Sequence, residues 1–116
     1  SYTDGLFATI KINIKNSCTT NGTGTLYLET LNTTSSNLYR EGLLNYQVVK
    51  DGTATNLKGN ITKSGEIALD IGTLTKASSA STTYKIYVWV DKEIVINSDA
   101  NSKYYGKIRA TATQGK

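Results

Sequence analysis

The stretch LFATIKINIK, residues 6–15, decides how this chain is read. Leu6, Ala8, Ile10, Ile12 and Ile14 occupy every second position, with Phe7, Thr9, Lys11, Asn13 and Lys15 between them. Successive side chains of an extended strand point to opposite faces, so a period of two writes one apolar face and one mostly polar face. That pattern is a half-buried strand, and it lies close to the start of the sequence.

The same alternation recurs further along. Leu26 and Leu28 flank Tyr27; Leu44, Tyr46 and Val48 share one face; Ile67, Leu69 and Ile71 repeat the spacing. Tyr84, Ile86, Val88 and Val90 stand opposite Lys85, Tyr87 and Trp89, and Ile108, Ala110 and Ala112 alternate with Lys107, Arg109 and Thr111. In GLLNYQVVKDGTATNL (42–57), Asp51-Gly52 supplies a tight turn and Thr53–Leu57 returns, which predicts a hairpin. Links such as NSCTTNGTG (16–24), NTTSSN (32–37) and TKASSASTT (75–83) are built from turn residues. No helical period persists over the length a capped helix needs. The expectation is all-β: a two-sheet sandwich of Greek-key or jelly-roll type with about seven or eight strands.

Composition agrees. A chain of 116 residues, 38% hydrophobic, holds one domain and one core. Residues 1–116 therefore read as a single sandwich, with 1–15 as a candidate intermolecular strand. No apolar run is long enough for a membrane span. A chain opening on Ser1 is expected to be a processed or truncated product. The net charge of +4 comes from scattered lysines and not from a basic stripe, so nucleic acid is not an expected partner. Cys18, the single cysteine, rules out an internal disulfide.

Absences limit the chemistry. The chain has no His, which removes the commonest general base and transition-metal ligand, and no Ser–His or Cys–His nucleophile can be assembled from one copy. The carboxylates (Asp4, Glu29, Glu41, Asp51, Glu66, Asp70, Asp91, Glu93 and Asp99) lie mostly in or beside turns. We expect no enzyme, no cofactor and no metal. Asn97, Asp99 and Asn101 alternate as in a calcium loop, but Ser102 stands where the sharp turn wants Gly, and Ile108 where the closing Glu belongs. A solvated hairpin tip is the expected state of NSDANSK. Tyr87, Trp89, Tyr104 and Tyr105 are the candidate ligand aromatics, set against the ordinary role of large rings in covering a core.

From Thr83 to Gln114 the chain resembles the closing segment of small exported proteins of Gram-positive bacteria with SipW-type signal peptides, the TasA and camelysin group. The resemblance is carried by Tyr84, Ile86, Trp89 and Asp91 on one strand, and by Tyr105, Gly106, Lys107 and Ile108 on the next. SYTDG (1–5) and IKINIKNSCTTNGTGTLYLE (10–29) are also similar to stretches of that group. It implies a jelly roll exported to the cell surface, whose members build biofilm fibres by donating an N-terminal strand to a neighbour. The metalloprotease activity ascribed to camelysin is not carried over to a chain without His.

Leu6, Phe7, Ala8, Ile10, Ile12 and Ile14 are thus the candidate assembly residues. They form either the first strand of their own sandwich or a strand donated to the next copy. The expected function is a structural subunit of an extracellular filament or surface matrix, self-associating into a homopolymer. The alternatives are a monomeric surface adhesin or carbohydrate-binding module with a glycan partner, and a phage or virion structural protein.

Overall fold

The computed structural model describes residues 10–15, 22–74 and 81–114. Its seven strands coincide with the alternating stretches: β1 Ile10–Lys15, β2 Gly22–Thr30, β3 Leu44–Lys50, β4 Thr53–Asn60, β5 Gly65–Leu74, β6 Ser81–Val90 and β7 Gly106–Gln114. Two short 3-10 turns, Ser36–Tyr39 and Asn97–Asp99, are the only helical elements among the described residues. No helix there is long and apolar enough to cross a membrane. Cys18, Leu6, Phe7 and Ala8 lie outside the described residues.

β5, β2 and β7 form one antiparallel sheet in that order; β6, β3 and β4 form the other, with β1 added at its edge along β6. Their inner faces meet in one core. Leu26, Leu28 and Leu69 come from the first sheet, and Leu44, Tyr46, Val48, Tyr84, Ile86, Val88 and Val90 from the second. Leu38, Leu43 and Ile61, in the connections, join the same core. This is the expected β-sandwich. Only the β3–β4 connection is a tight hairpin; β2 to β3, β4 to β5, β5 to β6 and β6 to β7 each pass from one sheet to the other.

The hairpin turn follows from its residues. Asp51 and Gly52 both take positive φ, 46° and 83°, as a two-residue turn matched to strand twist demands. Asp51 Oδ1 also accepts a hydrogen bond from the Thr83 backbone N–H at 2.8 Å, tying the turn to β6. Further along, the β3–β4 register shifts between Gln47 and Val49. There Gln47 Nε2 and Thr55 Oγ1 both donate to the Val48 carbonyl, each at 2.7 Å, so the carbonyl that the interrupted ladder would strand is satisfied.

Candidate functional site

The outward face of the β1-β6-β3-β4 sheet carries two of the expected aromatics. Trp89 and Tyr87 sit two residues apart on β6, on the face opposite buried Ile86, Val88 and Val90. Register continues each aromatic into a row across the sheet. Trp89 stands beside Asn45 and then Asn60; Tyr87 stands beside Gln47 and then Lys58. Asn45 Nδ2 donates to the carbonyls of Gly42 (3.3 Å) and Leu43 (3.0 Å), while its Oδ1 accepts from Asn60 Nδ2. The two amides are therefore oriented before any ligand arrives. Gln47 is 5% exposed and committed to the bulge, with Nε2 also 2.7 Å from the Thr55 carbonyl. Between Trp89, Asn45, Asn60, Lys58 and Gly59 lies an open depression of about 310 Å³.

Tyr104 and Tyr105 are elsewhere. Tyr104 packs against the core, its hydroxyl 3.1 Å from Thr30 Oγ1, and burial pushes its pKa up. Its ring covers Gly106: a Cβ on that glycine would fall 2.5–2.9 Å from the ring and hydroxyl atoms. Tyr105 is 43% exposed, and its backbone pairs with Leu31 and Thr34 near the end of β2. The four expected aromatics thus split into one outward pair, one core residue and one exposed ring in the β6–β7 connection.

NSDANSK is not a hairpin tip. β6 and β7 belong to different sheets, so residues 91–105 cross between them. The sequence gives no sign of what anchors that crossing: Arg40. Its Nη1 and Nη2 donate to Asp99 Oδ1 (3.1 Å) and Oδ2 (3.0 Å), and Nη2 also donates to the Ile94 carbonyl. Asn37 Nδ2 donates to Asp99 Oδ1 and the Ile96 backbone N–H to Oδ2. The Asp99 carboxylate is consumed by this network and held down to about pKa 2, first by Arg40 and then by the Ile96 amide. An oxygen so engaged is not offered to a calcium ion. Among the described residues, no three His, Cys, Asp or Glu side chains converge as a metal site.

The other sheet faces solvent with paired charges. Arg109 makes a two-pronged ion pair to Glu66, at 2.9 and 3.0 Å, and its guanidinium lies 3.8 Å from the Tyr27 ring centroid. The Glu66 carboxyl is lowered by Arg109, the reverse of what a general acid needs.

Comparison with protein-family models, curated proteins and solved structures returns no match.

Of the candidate assembly residues, Ile10, Ile12 and Ile14 stand opposite Ile86, Tyr84 and Thr82 in the antiparallel ladder of their own chain. A second feature bears on assembly and was not expected. Ala110 and Ala112 on β7 pair with Leu26 and Gly24 on β2, inward-pointing positions of the sheet. Leu26 and Gly24 are buried, yet both alanines are exposed. Among the described residues, no strand lies beyond β7.

Proposed function

We propose that this chain is a structural subunit of an extracellular filament or cell-surface matrix, a homopolymer in which the N-terminal segment of one copy pairs along an open sheet edge of the next. The observation that carries this reading is the exposure of Ala110 and Ala112 on β7, the last described strand of its sheet. A strand laid beside β7 would pair along its outer edge and shield Ala110 and Ala112, extending the smaller sheet to four strands. The sequence ahead of β1, with Leu6 and Ala8 continuing the apolar alternation, suits that place. Export to the cell surface rests on the resemblance carried by Tyr84, Trp89, Gly106 and their neighbours.

Size-exclusion chromatography and negative-stain electron microscopy of the purified chain test the reading. Filaments that vanish in Ala112→Lys, while that variant keeps a β-type circular dichroism spectrum, support it. An inward-pointing charge at an edge is tolerated where the site is open and blocks an incoming strand. A chain that stays monomeric at high concentration, or filaments unchanged by Ala112→Lys, overturns it.

A further inference from the structure

We infer that the outer face of the β1-β6-β3-β4 sheet, centred on Trp89, binds an anionic polysaccharide, one whose sugar rings carry carboxylates. This goes beyond assembly and stands without it. Its first support is the distribution of charge. The strands of this sheet hold five lysines, Lys11, Lys15, Lys50, Lys58 and Lys85, and no acidic residue. The strands of the other sheet hold Glu29, Glu66 and Asp70 against Lys107 and Arg109. A net positive charge of +4 spread evenly would not separate in this way. Of these lysines, Lys85 and Lys58 stand on the outward rows with Tyr87 and Trp89, and with no acid on the same strands this face presents a positive potential that attracts a polyanion and selects against a cationic partner.

The second support is the chemistry at the centre of the face. A pyranose ring has a C–H-lined side that packs on an indole or phenol plane, and hydroxyls that need amide partners. Trp89 and Tyr87 offer the planes at neighbouring outward positions of one strand. Beside Trp89, Asn60 is exposed with its amide nitrogen fixed on Asn45, leaving its carbonyl oxygen to receive a sugar hydroxyl. Lys58, exposed and lining the same depression as Trp89 and Asn60, supplies the cation for a carboxylate. An open trough of about 310 Å³ suits one ring of a chain that runs on across the sheet better than a small molecule, which needs enclosure.

Trp89 is the only tryptophan, so its fluorescence reports this face alone. Polygalacturonate titrated into the full-length protein at low salt is expected to shift or quench that emission, with binding weakened as salt rises. Lys58→Glu is expected to weaken binding roughly tenfold, the scale of one lost charge contact at an interface, and Asn60→Ala to weaken it less. Both positions are exposed, so folding is retained, which circular dichroism checks. Neutral dextran should leave the emission unchanged. Equal binding of polyglutamate, a polyanion without sugar rings, overturns the inference. So does an emission unmoved by polygalacturonate, or binding that Lys58→Glu leaves intact.

Discussion

At the scale of single residues, two tyrosines account for two glycines. Tyr104 lies over Gly106, and Tyr46 lies over Gly59, where a Cβ would meet the ring at 3.2–3.4 Å. In strands a glycine usually weakens packing, unless an aromatic ring covers the gap it leaves. Gly106→Ala should displace Tyr104, break its bond to Thr30 and cost about 1–3 kcal/mol by overpacking. Urea denaturation measures the cost, and near-ultraviolet circular dichroism should record the moved ring. Gly59→Ala should cost less, because its clearances are wider. Asp99 gives a pH-dependent case. Its folded pKa of about 2 lies below the ordinary 3.8, so its bonds to Arg40, Asn37 and Ile96 stabilise the crossing at all pH above the ordinary value. That contribution disappears as pH falls through about 2. Carboxyl-carbon NMR should find the depressed midpoint, and Ile96 amide protection should collapse across the same window. In Asp99→Asn, protection should already be reduced at neutral pH and show no step there.

At the scale of elements, strand identity was legible and strand pairing only partly so. Alternation of Tyr84, Ile86, Val88 and Val90 tells which residues face inward, because burial on one side of a sheet enforces a period of two. It says nothing of which strand lies alongside. Asp51-Gly52 does specify one pairing, and Lys50 with Thr53 and Val49 with Ala54 follow from it. Continued unbroken, that register would set Asn45 against Lys58. The bulge takes four residues of β4 for two of β3, so Asn45 meets Asn60 instead. The amide pair beside Trp89 was hidden for that reason: Gln47, which holds the bulge, reads in sequence as an ordinary polar strand residue. The Arg40–Asp99 pair was hidden because 59 residues separate its partners. The hairpin itself is testable. Gly52→Ala forces a Cβ into left-handed backbone and should cost about 1–2 kcal/mol, measured by chemical denaturation, although nothing lies within 4 Å of the new atom. A cost near zero would mean that the turn relaxes to another type.

At the scale of the whole molecule, the two sheets differ in a way that no single strand reveals. The larger one turns Tyr87, Trp89, Lys58 and Lys85 outward, and among the described residues the smaller one ends at β7, with two exposed alanines. That exposed edge has a thermodynamic consequence if a second copy covers it. Stability gained by binding between copies rises with protein concentration, whereas that of an isolated domain does not. The melting temperature of the intact chain should therefore climb across a hundredfold concentration range, as coupled folding and assembly require, and calorimetry can follow it. Ala112→Lys should remove the slope and leave a fixed transition from the sandwich core alone. The control is Leu26→Ala, at a side chain with 0% exposure, which should lower stability by about 2–5 kcal/mol at every concentration because it opens a cavity within one copy. A melting temperature independent of concentration in the intact chain would mean that β7 faces water in the functional state, and that its exposed alanines are an edge left unguarded and not a place for another strand.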